Sequence, residues 1–169
     1  MNLSVSTKPD SQDICFIPDG DYKKFLEKNS DLKENIGNII FDGKVIGKHT
    51  GLYKYTIGQR KGLGIAHETP LYVIGFNKDK NELIVGEEKD LYVKEFKVKN
   101  YNLLLIDEIV EPIKVNVKTR YKSKEYPATI SMEDNLIKVE FDSPQKGITP
   151  GQSAVFYIDD IVLGGGIIV

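Results

Sequence analysis

Apolar and polar residues alternate with two different periods along the chain, first that of an α-helix and then that of β-strands. Apolar residues at positions i, i+3 and i+4 define one helix face: Tyr22, Phe25 and Leu26. Asp19 or Asp21 can cap the start of this helix, and we expect it to end near Asn29. After this short helix the pattern changes to that of β-strands.

Two β-hairpins are predicted in the next part of the chain. Their strands are expected at 38–41, 44–47, 71–76 and 82–86. Asp42-Gly43 separates the first two runs, and Asp-Gly between short apolar runs is a strong hairpin signal. Between the hairpins, residues 56–64 are too rich in glycine for regular structure and predict a shaped loop.

From about Tyr92 onward the pattern is that of β-strands alone. Candidate strands lie at 94–105, 113–121, 126–132, 136–141, 153–157 and 161–168, and turn signals such as Asp142-Ser143-Pro144 separate them. Six short strands with frequent turns predict a small closed barrel. We therefore expect a mainly β protein, with a small α+β domain over 1–92 and a six-stranded β-barrel over 93–169.

Composition and charge exclude several classes of function. The chain has 169 residues, of which 40% are hydrophobic and 28% charged, as in soluble globular proteins. No apolar run approaches the ~20 residues that span a bilayer, so we expect a cytoplasmic protein without a membrane partner. The net charge of −2 means that any nucleic acid must bind to local basic patches. One cysteine and two distant histidines predict no metal site.

Cys15 is the only cysteine of the sequence. A reactive role requires an accessible thiol with a lowered pKa, because the thiolate is the nucleophile. The alternative is a small buried apolar residue beside Ile14 and Phe16. The neighbouring aspartates disfavour a thiolate, so a nucleophilic Cys15 would need a basic partner from elsewhere.

Two adjacent cations, Arg60 and Lys61, lie in the glycine-rich loop over 58–64. Such a loop suits phosphate contact, because its backbone N–H groups add donors to the two positive charges. The alternative is a mobile surface loop with solvated charges. His49 and His67 have no evident acid–base partner in the sequence, and no role is assigned to them.

A basic stripe is predicted over 114–124 if this segment is a strand. One face would then carry Lys114, Lys118, Arg120, Lys122 and Lys124, and the other Val115, Val117, Thr119 and Tyr121. Such a face could bind an RNA backbone, or it could protect an edge strand from aggregation. Gln152 follows the Pro150-Gly151 turn and could bond either a base or its own backbone.

Three segments together resemble bacterial tRNA-specific 2-thiouridylases, in order and at plausible spacing. They are 10–17, 49–65, and 149–157 with 164–168. The resemblance implies a front domain of the ATP-pyrophosphatase type, which uses ATP with Mg²⁺ to adenylate C2 of the wobble uridine. It also implies that Cys15 carries a persulfide sulfur, and that Arg120, Tyr121 and Gln152 touch tRNA. The family's back half has a small central domain and a barrel like the second domain of elongation factor Tu.

The hypothesis from the sequence is therefore the back half of a 2-thiouridylase. We expect its partners to be tRNA, which Arg60 and Lys61 of the glycine-rich loop should also bind, and a protein that donates persulfide sulfur. The chain lacks the Ser-Gly-Gly-Val-Asp-Ser ATP motif and a second cysteine, so we expect it to hold no cofactor and to be inactive alone. The alternatives are a non-catalytic RNA-binding β-barrel module, in which Cys15 is incidental, and a stand-alone thiol redox protein.

Overall fold

The computed structural model describes residues 22–29, 35–121 and 123–169. These residues form one α-helix, ten strands and two short 3₁₀ turns, and none of the helices among them is long and apolar enough to cross a membrane. The elements are α1 (Tyr22–Asn29), β1 (Gly37–Phe41), β2 (Lys44–His49), β3 (Tyr72–Asn77), β4 (Glu82–Gly86), β5 (Tyr92–Leu103), β6 (Ile113–Lys118), β7 (Tyr126–Glu133), β8 (Leu136–Lys146), β9 (Ser153–Ile158) and β10 (Ile161–Ile168). The 3₁₀ turns are Leu52–Lys54 and Glu88–Leu91.

Both predicted hairpins are present, and they combine into one four-stranded sheet of order β2-β1-β4-β3. The turn between β1 and β2 has positive φ at Asp42 (48°) and at Gly43 (71°), as the tight turns favoured in hairpins require. Strands β1 and β4 run parallel and join the two hairpins. The core of this part consists of Ile39, Leu63, Leu71, Val73, Leu83 and Val85.

The second part is a closed barrel of order β10-β5-β8-β7-β6-β9. Inward-pointing residues fill its interior, as expected for a barrel of few strands. The fully buried ones include Val98, Val117, Ile130, Val139, Phe141, Phe156 and Leu163. The predicted fold class, a mainly β protein with a small α+β part and a closed six-stranded barrel, is confirmed.

An ion pair joins the 3₁₀ turn Glu88–Leu91, which follows the four-stranded sheet, to the barrel. The Nζ of Lys146, at the end of β8, contacts the carboxylate of Glu88 and lies 5.4 Å from the ring centroid of Tyr72. A cation held between a carboxylate and an aromatic ring couples the two parts. The division of the chain at residues 92 and 93 stays a prediction.

The predicted turn at 142–144 is wrong. Strand β8 continues to Lys146, and its pairing with β5 steps from Glu95↔Glu140 to Val93↔Gln145. The extra residues on β8 form a bulge, which is where a strand tolerates a proline such as Pro144. The ammonium of Lys94 donates to the carbonyl oxygens of Phe141 and Asp142 and so holds the bulge.

The predicted strand over 113–121 ends early, and the basic stripe to Lys124 is therefore wrong beyond Lys118. Ser123 closes a turn on Arg120. Its N–H and its hydroxyl both donate to the Arg120 carbonyl oxygen, over 3.1 Å and 2.9 Å. Such side-chain bonds compete with strand pairing. Tyr121 was expected on the same face as Val117, but it is 81% exposed. Lys122 lies outside the described residues.

Candidate nucleic-acid interface

Three residues predicted from the sequence to bind tRNA line one cleft on the barrel surface. Arg120 and Tyr121 lie just after β6, and Gln152 lies just before β9. We call this the barrel cleft; its volume is about 630 Å³, and it is lined by residues 118–121, 151–153, 155 and 157. Residues about thirty positions apart in the sequence thus come together at one surface.

The antiparallel pairing of β6 with β9 brings Arg120 and Tyr121 next to Gln152. Lys118 lies opposite Val155 in the antiparallel register, so the residues after β6 lie beside those before β9. The turn before β9 is closed by a hydrogen bond from the Gln152 N–H to the Thr149 carbonyl oxygen, at 3.2 Å. Gly151 has a φ of 89°, which a type II turn requires at this position. Two backbone hydrogen bonds to Ile168, of 2.8 Å and 2.9 Å, tie the turn to β10.

The guanidinium of Arg120 is held from one side by the backbone. Its Nη2 donates to the Gly147 carbonyl oxygen at 2.6 Å and reaches Thr149 Oγ1 at 3.4 Å. Gly147 has a φ of 82°, and a Cβ there would lie 2.6 Å from Nη2. Only glycine therefore allows both the backbone conformation and the close approach. Since a guanidinium has five N–H donors, donors remain for a ligand.

The charges of the barrel cleft are not neutralised within the described part of the chain. Neither Arg120 nor Lys118 forms an ion pair with a described carboxylate, and no acidic residue lines the cleft. The exposed ring of Tyr121 offers a face for stacking. The exposed side chain of Gln152 offers both a donor and an acceptor. Phosphate oxygens, aromatic bases and base edges are the groups that this set can bind.

A second cleft, the loop cleft, lies in the other part of the chain, has a volume of about 550 Å³, and is lined by Arg60 and residues 62–71. The loop before it is held by hydrogen bonds. The side chain of Gln59 accepts from the Thr56 N–H at 3.1 Å and donates to the Lys61 carbonyl oxygen at 2.9 Å. The predicted shaped loop is thus present. Arg60 lines the cleft, whereas Lys61 is exposed beside it.

Arg60 belongs to a mixed electrostatic environment. The pKa of Glu88 is lowered, chiefly by its hydrogen bond to Lys146 and then by the charges of Lys146 and Arg60. The same pairing raises the pKa of Lys146. Lys146 directly precedes Gly147, whose carbonyl oxygen binds Arg120. The residues Glu88, Lys146 and Gly147 therefore connect Arg60 of the loop cleft to Arg120 of the barrel cleft.

His49 has a structural role. It is 1% exposed, and its Nδ1 accepts a hydrogen bond from the Gly51 N–H at 3.1 Å, which leaves the ring proton on Nε2. That nitrogen lies 3.1 Å from the Asn81 carbonyl oxygen, so the buried ring connects β2 to the turn between β3 and β4. His67 lines the loop cleft and contacts Thr69.

Sequence reasoning missed Tyr157 of the barrel cleft and the two residues that position Arg120 from outside its lining. Tyr157 lies on the outer face of β9, and Gly147 and Thr149 position Arg120. Strict alternation along β9 could have pointed to Tyr157, but nothing in the sequence pairs Gly147 with Arg120.

Cys15, the predicted sulfur carrier, lies outside the described residues, as does the segment 10–17 around it. The described residues include no cluster of three or more histidine, cysteine, aspartate or glutamate side chains that could hold a metal ion.

Two family models match the chain. An aminomethyltransferase β-barrel domain matches residues 93–168, and a tRNA methyl transferase PRC-barrel domain matches residues 23–87. The chain is 47% identical to the tRNA-specific 2-thiouridylase MnmA of Acetivibrio thermocellus, over 99% of this chain and 47% of that protein. It is 46% identical to the enzyme of the same name from Halothermothrix orenii, over 97% and 46%. The corresponding protein of Koribacter versatilis is 43% identical, over 97% and 46%. The chain thus spans about half the length of these curated relatives.

Proposed function

The chain is related along nearly its whole length to one half of the tRNA-specific 2-thiouridylases, and on this premise we propose that it is the tRNA-binding and sulfur-carrying half of such an enzyme. The proposed substrate is the wobble uridine of a tRNA, and the proposed compartment is the cytoplasm. ATP and Mg²⁺ would bind in the half of the enzyme that this chain does not match.

One observation above all supports tRNA binding. Arg120, Tyr121 and Gln152 line a single cleft that has two cations and no acidic residue. A cation binds phosphate without regard to sequence, and an exposed aromatic ring stacks on a base. The amide of Gln152 supplies the directional hydrogen bonds that could read a base or a ribose.

The proposed chemistry assigns sulfur transfer to Cys15. Adenylation by ATP makes the C2 oxygen of uridine a good leaving group. The terminal sulfur of a persulfide on Cys15 attacks C2, and AMP leaves. A second thiol, from the other half of the enzyme, then attacks the Sγ of Cys15 and forms a disulfide with it, and the outer sulfur leaves on C2 as 2-thiouridine. A persulfide donor protein and a thiol reductant would restore Cys15 for the next cycle.

A chimeric enzyme tests this proposal. In the Acetivibrio thermocellus relative, the matched half is replaced by this chain, with and without Cys15→Ser, and 2-thiouridine in tRNA digests is measured by mass spectrometry. We expect the unmodified chimera to make the product. The Cys15→Ser chimera should lose it while its tRNA dissociation constant stays unchanged. Normal product from Cys15→Ser would exclude Cys15 as the sulfur carrier.

The barrel cleft also supports a second candidate function, a non-catalytic RNA-binding module. The residues that line the cleft all lie in the barrel, as a module that binds RNA without sulfur chemistry requires. A chimera that binds tRNA but makes no 2-thiouridine, even with Cys15 present, would favour this function.

A further inference from the structure

The outer face of β6 extends the barrel cleft beyond the residues predicted from the sequence. Along β6, Val115, Val117 and the following Thr119 are buried, so Lys114, Asn116 and Lys118 point outward. On the adjacent β9, Ala154 and Phe156 are fully buried, so Ser153, Val155 and Tyr157 share the outer face. The two strands thus present one continuous surface that starts at Arg120.

Two lysines on this face differ in their partners. Lys114 forms an ion pair with Asp142 at 3.0 Å. Lys118, four positions further along, lines the barrel cleft and has no ion pair within the described residues. The positive charge available to a ligand is therefore concentrated at the Arg120 end of the strand, on Lys118 and Arg120.

An aromatic ring bounds this cationic stretch on either side. Tyr121 follows Arg120, and Tyr157 lies opposite Asn116 in the β6–β9 pairing. Tyr157 lines the barrel cleft and also a smaller cleft of about 230 Å³, which Asn116, Ile158 and the carboxylate of Asp159 also line. Two rings therefore flank two cations along the surface, a combination of groups that binds a single nucleic-acid strand.

We propose that Lys118 and Tyr157 are further RNA-binding residues, and that the outer face of β6 and β9 holds an unpaired stretch of tRNA. Lys118 and Arg120 bind consecutive backbone phosphates, and the two tyrosine rings contact bases or riboses. An unpaired stretch fits because bases inside a duplex are stacked on each other and offer no free face. This inference rests on the proposed tRNA binding.

The experiment measures binding of the 169-residue chain to labelled total bacterial tRNA by fluorescence anisotropy, between about 50 and 200 mM salt. We expect Lys118→Ala to weaken binding about fivefold at the lowest salt and to reduce the slope of log K against log salt by about 1. Lys99→Ala is the matched control. It removes the same charge from β5, on the opposite side of the barrel, and should leave the slope unchanged.

Tyr157 is tested by a pair of variants. Tyr157→Leu removes the ring and should weaken binding about tenfold, whereas Tyr157→Phe keeps the stacking face and should bind like the unmodified chain. Thermal melting of each variant verifies that the barrel remains folded. An unstructured oligoribonucleotide should compete with tRNA, and a fully paired RNA duplex of equal length should compete far less.

The outcomes separate this inference from the proposed function. If Arg120→Ala weakens binding but Lys118→Ala and Tyr157→Leu do not, the inference is overturned and tRNA binding stands. If none of the three variants weakens binding, both are overturned. Equal competition by the RNA duplex would overturn the assignment to an unpaired stretch.

Discussion

The barrel cleft and the loop cleft both contain an arginine predicted to bind tRNA, but the two arginines have different surroundings. Arg120 has no carboxylate partner among the described residues, and no acidic side chain lines its cleft. Arg60 shares its cleft with Glu68, and its charge acts on Glu88. Neighbouring carboxylates lower the positive electrostatic potential around an arginine, so the arginine attracts a phosphate less strongly. The neighbours of a cation, rather than its presence alone, therefore decide which cleft binds an anionic ligand strongly.

The most disruptive change to the barrel cleft should be Gly147→Ala. The new Cβ would lie 2.6 Å from the Arg120 Nη2 and would sit at a φ of 82°. We expect tRNA affinity to fall about tenfold or more, as if Arg120 were lost, and stability to fall by about 1 kcal/mol. Anisotropy titration and thermal melting measure the two effects.

Gly43→Ala is the control for backbone strain. Gly43 has a φ of 71°, and a Cβ there would meet nothing within 4 Å. It should lose similar stability and keep its tRNA affinity. Equal loss of affinity in both variants would show that instability, and not displacement of Arg120, explains the result.

A direct comparison of the two clefts pairs Arg120→Ala with Arg60→Ala. Both variants remove one charge, but only Arg120 lies in a cleft without acids. We expect Arg120→Ala to weaken tRNA binding about tenfold at low salt and Arg60→Ala by about twofold. Equal losses in the two variants would show that neighbouring acids do not set the affinity of these arginines for RNA.

Glu88→Gln tests the effect of an acidic neighbour by removing one near Arg60. It removes the carboxylate that attracts both Lys146 and Arg60, so tRNA affinity should rise by about twofold at low salt. An unchanged or lower affinity would mean that Arg60 lies away from the bound RNA.

The ion pair of Glu88 also predicts a pH dependence. Its pKa is lowered from 4.5, so the contribution to stability is fully present above pH 4.5. That contribution is lost as the pH falls through the lower pKa of the folded state. Melting temperatures of the unmodified chain and of Glu88→Gln should therefore converge in acid. A difference that stays constant down to about pH 3, well below the ordinary pKa of a glutamate, would contradict this assignment.

The smallest effect on binding is expected from Gln59→Ala. It removes two hydrogen bonds that shape the loop before the loop cleft. We expect a loss of about 1–2 kcal/mol in stability and an unchanged tRNA affinity, because the barrel cleft lies elsewhere. A marked loss of affinity would place this loop in the RNA interface.

Local patterns predicted most of the fold, because alternation and turn residues act over short distances. The Asp42-Gly43 hairpin and the six barrel strands are examples. The two errors both arise from hydrogen bonds between a side chain and the backbone, which the alternation of apolar and polar residues does not predict. Ser123 ends β6 early by bonding to Arg120, and Lys94 stabilises a bulge around Pro144 from another strand.

The candidate site was less predictable than the fold. The resemblance implies a tRNA contact for each of Arg120, Tyr121 and Gln152. That the three line one cleft depends on the pairing of β6 with β9, which the sequence pattern does not predict. The positive φ of Gly147 and its approach to Arg120 are properties of the folded backbone. Lys118 was named as part of a stripe that the structure shortens, and Tyr157 was missed.

The hydrogen bonds between Ile168 and the turn that carries Gln152 have a consequence for biosynthesis. A nascent chain leaves the ribosome with its N-terminus first, so β10 emerges after every other element of the barrel cleft. Until it does, the barrel stays open between β5 and β9, and Gln152 lacks its anchor. The barrel cleft of a nascent chain is therefore complete only once β10 has been made.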